Sequence, residues 1–226
     1  NFKYKFDIDN IEANLKGIFL DDKIYINFND KKKEINSPKV VVLKLLDSKL
    51  YTKIEIFDSE IGKNINSGNI SFKKDRNKIS GIFEYQDNKI FIKKANLRNS
   101  FLDGKINGLV EFLPYFNFNL NLDLNSVNFN RFYSSLVTLK SEDKKNLFRI
   151  NKKINGQLNL SADKIFSKHT FIDSFESRIR FINGNIFFEQ LLLNLKKIGA
   201  ADINEIIKND KKITNFKFEN NIFIDN

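Results

Sequence analysis

One ten-residue stretch constrains the fold of this chain more than any other part of it. Over residues 116–125, apolar residues alternate strictly with Asn or Asp. Successive side chains of a β-strand point to opposite faces, so a period of two predicts a strand with one apolar face and one wet face. Because Asn is a poor strand former, its repeated use here indicates that the apolar face drives strand formation.

Weaker alternation of the same kind recurs along the chain. It is present at residues 2–8, 24–28, 54–56, 70–72, 158–160, 216–218 and 222–224. Half-buried strands are typical of antiparallel sheets, since parallel strands covered on both faces read as continuous apolar runs. The pattern predicts a mainly β protein, with a long antiparallel meander sheet curled into a twisted groove or a sandwich.

A short phrase of Ile, then Asn or Ser, then Gly introduces several of these strands. It occurs with uneven spacing at five glycines: Gly68, Gly81, Gly108, Gly156 and Gly184. Uneven spacing excludes a solenoid of fixed period. We expect Asn183-Gly184 to form a tight hairpin turn, because both residues tolerate positive φ. The other glycines are expected to mark a bulge or bend where a strand enters the sheet.

Two segments depart from the period of two. Between Asn128 and Lys140, apolar residues fall at helical spacing, and Ser126 or Asn128 is available as the N-cap. We therefore predict a helix over residues 128–140. Weaker helical spacing predicts a second short helix over residues 201–209. The polar stretch 141–153 is predicted to be a connector between the first helix and the next strand.

Few residues in the chain are suited to catalysis. There is no Cys, and the one His, His169, lies in a polar turn and is interpreted as an exposed loop residue. Thiolate–zinc sites, thiol nucleophiles and histidine-based catalytic sets are thereby excluded. Asp7 with Asp9 and Asp21 with Asp22 come nearest to carboxylate pairs, but no metal-binding or phosphate-binding motif accompanies them. We predict a non-enzymatic protein with no catalytic residue, no metal and no cofactor.

The chain is basic, with 38 Lys and Arg against 28 Asp and Glu, a formal net charge of +10. Lys outnumbers Arg 32 to 6, and Lys, Asn, Ile and Phe are the residues that AT-rich codons favour. Nucleic-acid binders cluster basic residues on one face and use Arg for bidentate contacts. Here the lysines form short runs beside turn residues. We therefore predict solvated loops and no nucleic-acid partner, with attraction to an anionic surface as the alternative.

The 24 phenylalanines are the remaining signal. The length of 226 residues fits one large β domain over residues 1–226, with two small domains as the alternative. Long one-sided strands with few helices leave a broad apolar face, which must close on a second sheet, curl on itself or bind an apolar ligand. The chain contains no Met, which predicts that it is a fragment of a longer protein.

The run over residues 104–124 resembles the repeat region of the AsmA-like family of bacterial envelope proteins. The resemblance is carried by a strand, a break with Pro114, an alternating strand and the phrase Leu122-Asp123-Leu124 ahead of the predicted helix. Residues 154–188, 199–203 and 216–218 look similar to the C-terminal part of that region. The similarity covers about residues 65–224.

This resemblance implies a periplasmic protein, tethered to the inner membrane by an N-terminal helix that this sequence lacks. It implies a grooved sheet that shelters phospholipid acyl chains in lipid transport and outer-membrane biogenesis. Contact with the inner and outer membranes would come from other parts of the chain, and we predict a monomer. The predicted groove is lined by Val110, Phe112, Phe116, Phe118, Leu120, Leu122, Leu124, Leu158 and Leu160. The alternative is a structural or scaffolding module of the envelope, with a filled core and no lipid cargo.

Overall fold

The computed structural model describes residues 2–7, 10–31, 37–57, 65–75, 77–112, 115–141, 144, 148–168, 171–210 and 213–224. In these ranges the protein is mainly β, with sixteen strands, one α-helix and one short 3-10 turn. The predicted fold class is thereby confirmed. The chain divides into two compact units, Asn1–Leu97 and Arg98–Asn226.

The first unit is a meander in which each strand lies beside the strands that precede and follow it in sequence. Its strands are β1 (Phe2–Asp7), β2 (Asn10–Phe19), β3 (Asp22–Lys31), β4 (Lys39–Leu45), β5 (Leu50–Phe57), β6 (Asn66–Lys74), β7 (Asn77–Gln86) and β8 (Lys89–Arg98). The registers of β1 through β7 are antiparallel. They place the buried residues Ile24, Ile70 and Phe83 on one apolar face.

The second unit contains the other eight strands and the helix. They are β9 (Leu102–Glu111), β10 (Asn117–Asn128), α1 (Phe129–Val137), β11 (Asn155–Ala162), β12 (Ile165–Phe166), β13 (Ser174–Ile182), β14 (Asn185–Asn194), β15 (Gly199–Asp210) and β16 (Ile213–Ile224). The sheet order follows the sequence, except that the two-residue β12 pairs with the end of β10. In the described strands this sheet is mixed and not closed.

The prediction that all neighbouring strands are antiparallel is wrong for β10 and β11, which pair in parallel. Parallel neighbours require a crossover connection of about a dozen residues or more. Here residues 129–154, which include α1, separate the two strands in sequence. The alternating pattern within a strand does not encode the direction of the neighbouring strand.

The predicted helix over residues 128–140 is confirmed as α1, which ends earlier, at Val137. The Asn128 side chain caps it, because its Oδ1 accepts a hydrogen bond from the backbone N–H of Arg131 at 3.0 Å. Within the described ranges, no helix has the length and apolarity needed to cross a membrane.

The predicted second helix is wrong, because residues 201–209 lie inside β15. Ile207 pairs with Ile186 of β14 on one side and with Phe216 of β16 on the other. β-branched Ile suits a pleated strand, and both sides of β15 supply hydrogen-bonding partners. These non-local contacts override a helical spacing that only three isoleucines supported.

The Asn183-Gly184 turn is confirmed, since both residues have positive φ, 52° and 82°, between β13 and β14. The other four glycines of the repeated phrase lie within strands and mark close approaches between neighbours. At Gly68, for example, a Cβ would lie 2.0 Å from the Glu55 carbonyl oxygen. The bulge in β10 lies elsewhere, between Leu124 and Ser126.

Candidate functional site

The strand registers of the second unit bring most of the predicted groove residues onto one face. Val110 lies beside Phe118, whose other neighbour is Gly156. Further rows across β9, β10 and β11 are Gly108–Leu120–Leu158, Ile106–Leu122–Leu160 and Gly104–Leu124–Ala162. We call the side of the β9–β16 sheet that carries these residues the apolar face. It holds seven of the nine predicted groove residues within the strands.

Phe112 and Phe116, the remaining two predicted residues, lie just outside β9 and β10 where these strands adjoin. Their ring centroids are 5.7 Å apart, and Phe116 lies 6.3 Å from Phe118. Phe112 is exposed, whereas Phe116 is half-buried. The structure therefore brings all nine residues into one continuous surface, with an aromatic cluster at one end.

A β-bulge extends this surface toward α1. The register slips between Leu124 and Ser126, so Asn125 is the extra residue. The slip reverses the alternation, and Val127 joins Leu124 on the apolar face. Leu124, Val127 and Ala162 are buried at this end of the sheet. The apolar face thus continues to the residue pair that precedes the helix.

The apolar face also continues across β13 to β16, which the sequence interpretation did not include. Phe181 faces Ile186, Ile186 faces Ile207, and Ile207 faces Phe216. The signal that could have found these residues is the Asn183-Gly184 turn. Residues at equal distances on either side of a two-residue turn face each other, so Phe181 and Ile186 follow from it directly.

Gly156 permits a close aromatic contact on the apolar face. Phe118 and Phe181 are its neighbours on either side, and their ring centroids meet at 5.5 Å. A Cβ on Gly156 would lie 2.6 Å from the Phe118 ring, and its φ of 153° disfavours other residues. The glycine leaves a gap in the row of side chains, which the two rings fill.

Burial across the apolar face is graded. The best-covered part is the cluster of Ile179, Ile186 and Ile207, at 7%, 5% and 1% exposure. Leu120, Leu122, Leu158 and Leu160 are half-buried. On β16, Phe218 is 65% exposed. In a filled sandwich core, apolar side chains on the inner faces of both sheets are buried. The side chains of the described apolar face are more exposed to solvent than that.

The connector contributes to this surface, although it was predicted only as a polar link. The Phe148 ring contacts Phe216 edge-on at 5.7 Å, and Ile150 packs against the buried isoleucine cluster. The Asn209 side-chain amide donates to the carbonyl oxygens of Phe148 and Gly184, both at 2.7 Å. Residues 148–150 therefore cover the end of the apolar face near the β13–β14 turn.

The opposite face carries a row of amide side chains. Asn121 Nδ2 donates to Asn107 Oδ1 at 2.9 Å, and Asn159 Nδ2 donates to Asn121 Oδ1 at 2.8 Å. The ladder crosses β9, β10 and β11. It gives a physical reason for Asn in the alternating strand, because each amide can donate to one neighbour and accept from the other.

The carboxylate pair Asp21 and Asp22 takes part in a turn. The two oxygens of Asp22 accept the backbone N–H groups of Asp47 and Ser48, each at 2.9 Å. Burial would raise the pKa of Asp22, but hydrogen bonds from Ser48 and from Asp47 hold it below its usual range. This geometry ties the β3 start to the β4–β5 turn.

The remaining candidate residues for catalysis or metal binding cannot be placed. His169 and Asp9 lie outside the described residues, and so does the side chain of Asp7. The described part of the chain holds no group of three or more His, Asp or Glu residues arranged to bind a metal ion.

No family model matches the chain, and comparisons with curated proteins and with solved structures find no similar protein. The resemblance to the AsmA-like family therefore stays a prediction, which rests on residues 104–124 and the related stretches downstream.

Proposed function

We propose that the apolar face of the second unit binds phospholipid acyl chains, and that the protein acts without catalysis in lipid transport and outer-membrane biogenesis. One observation carries the proposal. The apolar rows run without a break from Val110 to Phe216, yet their central leucines are only half-buried. A continuous apolar surface of this kind, open to solvent, favours an apolar ligand.

The dimensions of the surface suit an acyl chain. From Phe118 to Leu124 the strand advances by about 20 Å, at roughly 3.3 Å per residue. One leaflet of a bilayer has a hydrocarbon depth of about 15 Å, half of the whole core. Each methylene that leaves water contributes about 0.8 kcal/mol, so a chain laid along this row would be held without any specific polar contact.

The cellular setting of the proposal rests on the AsmA-like resemblance. On this basis we propose that the protein is periplasmic and tethered to the inner membrane. In this setting a bound chain would move along the apolar rows while its headgroup stayed in water. We propose no cofactor, since such movement needs no chemical step.

A fluorescence titration with cis-parinaric acid, a fluorescent fatty acid, tests the proposal. It compares variants of two adjacent residues whose side chains lie on opposite faces of the sheet. Phe118→Asp places a charge on the apolar face, whereas Asn119→Asp places the same charge on the polar face. We expect Phe118→Asp to weaken binding by about tenfold or more and Asn119→Asp to leave it unchanged. Leu120→Gln, a milder change on the same row, should weaken binding in a folded protein.

The scaffolding alternative makes the opposite prediction for the same variants. If the apolar face is a filled core, the wild-type protein will not bind the fatty acid, and Phe118→Asp will mainly lower the free energy of unfolding. Circular dichroism melts of each variant, recorded beside the titrations, separate the two outcomes.

A further inference from the structure

Helix α1 presents an apolar stripe to solvent. Phe129, Tyr133 and Val137 recur at every fourth position and so share one side of the helix. They are 43%, 60% and 50% exposed. The flank of α1 beside this stripe holds the helix to the protein, since the Phe132 ring lies 5.6 Å from the Phe101 ring and 6.2 Å from the Phe129 ring.

The strand β12 places a further exposed aromatic residue beside the start of the helix. Phe166, which is 56% exposed, pairs with Asn128 at the start of the helix. Lys168, just after β12, is held to α1, because its backbone N–H donates to Asn130 Oδ1 at 3.2 Å. We call the surface formed by Phe129, Tyr133, Val137 and Phe166 the helix-end patch.

Basic residues lie in the segments that carry the helix-end patch. Lys144 donates from Nζ to the Val137 carbonyl oxygen at 2.6 Å, which places it at the C-terminal end of the stripe. The described residues of 125–144 and 162–173 include five basic side chains, Arg131, Lys140, Lys144, Lys164 and Lys168. The same described residues include two acidic ones, Asp163 and Asp173, and Asp173 is paired with Lys196 at 3.8 Å. An exposed aromatic surface is thus combined with an excess of positive charge.

We propose that the helix-end patch docks onto an anionic phospholipid membrane surface. Aromatic rings favour the headgroup level of a bilayer, and lysines at the rim are attracted to lipid phosphates. A helix of nine residues is about 13 Å long and would lie flat in the interface, with its apolar stripe inserted and its Phe132 flank on the protein. The charge of the rim favours a membrane over an uncharged apolar partner.

This inference rests on the proposed function and adds a membrane contact made by this chain itself. Leu124 and Val127, at the end of the apolar face, immediately precede α1. Docking through α1 would bring this end of the apolar face close to the bilayer. Acyl chains would then enter the surface from the helix end rather than from the end that Phe148 and Ile150 cover.

The test is flotation of the full chain with vesicles of phosphatidylglycerol and phosphatidylcholine, compared with vesicles of phosphatidylcholine alone. Phe129→Gln, Tyr133→Gln and Val137→Gln are combined in one variant, because Gln preserves helix propensity. The matched control combines Ile18→Gln, Leu46→Gln and Ile82→Gln, three exposed apolar residues of the first unit. We expect the helix variant to bind anionic vesicles about tenfold or more weakly than wild type, and the control to bind as wild type does.

A second pair of variants tests the role of charge. Lys144→Gln, Lys164→Gln and Lys168→Gln should weaken binding to anionic vesicles and reduce its dependence on salt. Lys5→Gln, Lys73→Gln and Lys74→Gln, also exposed, should not change either property. Equal binding by the helix variant and its control, or equal binding of wild type to neutral and anionic vesicles, would overturn the docking proposal.

The fatty-acid titration distinguishes failure of docking from failure of the proposed function. If docking is correct, the helix variant will lose vesicle binding and keep its affinity for cis-parinaric acid in solution. If the wild-type protein binds vesicles but no fatty acid, the docking proposal stands and the proposed acyl-chain function is wrong.

Discussion

On β10, neighbouring residues are held by different forces. Leu122 faces a row of leucine and isoleucine side chains, and dispersion and burial stabilise it without a preferred direction. Asn121, one residue earlier, faces the amide ladder, where two directional hydrogen bonds of 2.9 Å and 2.8 Å fix its position. A slip of one residue between strands would exchange the two faces, so the ladder and the apolar rows specify the same register.

The polar face of the sheet serves stability, whereas the apolar face can also contact a ligand. The amide ladder uses its donors and acceptors within the protein. The side chains of the apolar rows form no hydrogen bonds. Because they are half-buried, they can contact further apolar atoms. We therefore expect substitutions on the apolar face to affect both stability and ligand binding, and those on the polar face to affect stability alone.

The largest effect is expected from Gly156→Ala on the apolar face. The added Cβ would press on the Phe118 ring and separate it from Phe181. With the unfavourable φ, we expect a loss of about 3 kcal/mol in the free energy of unfolding, measured by denaturant titration. Gly17→Ala is the control, because its Cβ would lie 3.7 Å from Ile24, an ordinary contact. Equal losses in both variants would contradict this account of Gly156.

The next largest losses of stability are expected at Leu122 and its neighbour Asn121. Leu122→Ala should cost about 1–2 kcal/mol, less than a fully buried leucine, because the side chain is half-buried. Asn121→Ala should cost about 0.5–1 kcal/mol through its lost hydrogen bonds. Only Leu122→Ala should weaken the binding of cis-parinaric acid. Weaker fatty-acid binding by Asn121→Ala would show that the faces are not functionally distinct.

A smaller effect, of opposite sign, is expected at Ser177. This buried residue sits on the apolar face between Leu160 and Leu191, and its hydroxyl has no hydrogen-bond partner in the described structure. Ser177→Ala removes an unsatisfied polar group and should raise the free energy of unfolding by about 0.5–1 kcal/mol. Thermal melts of the two proteins measure the change. A lower melting temperature for Ser177→Ala would mean that the hydroxyl is satisfied in solution.

The smallest expected effect is a dependence of stability on pH. It should arise at Asp22 in the first unit and not at the neutral amide ladder. The pKa of Asp22 is lowered from its ordinary value of 3.8, so its stabilising contribution is complete above that pH. The contribution is lost as the pH falls through the lowered pKa, when protonation weakens the acceptor of the Asp47 and Ser48 N–H groups. Hydrogen exchange, corrected for its intrinsic pH dependence, should show reduced protection of these two amides in acid.

The amides of β10 provide the internal reference for that measurement. The ladder residues Asn107, Asn121 and Asn159 do not titrate, so protection near them should change less over the same range. An Asp22→Asn variant should show the reduced protection of the Asp47 and Ser48 amides already at neutral pH. Unchanged protection of these amides on acidification would contradict the role given to Asp22.

Local patterns in the sequence were enough to predict β10, α1 and the β13–β14 turn. In each of these the decisive interaction is local: alternation along one strand, a side chain three residues from the N–H it caps, and two residues with positive φ. The nine residues predicted to line the groove lie on one surface, and seven of them belong to the two alternating stretches 116–125 and 158–160. Their role in lipid binding stays a prediction.

The features that escaped prediction depend on partners distant in the chain. The isoleucines of β15 fit a helix or a strand, and only β14 and β16 decide between them. The parallel pairing of β10 with β11 depends on the path of the crossover. Phe148 and Ile150 stand with Leu147 in a short apolar group within a polar stretch, and this group is too short to predict a contact with the apolar face.

Native mass spectrometry of the purified full chain shows whether acyl chains bind to the protein. If the apolar face binds acyl chains, spectra recorded under gentle conditions will show the protein with added masses of phospholipids or fatty acids. These masses should diminish in Leu120→Gln and persist in Asn119→Asp. A spectrum of the bare chain alone, even after incubation with phospholipid, would contradict the claim and favour a scaffold with a filled core.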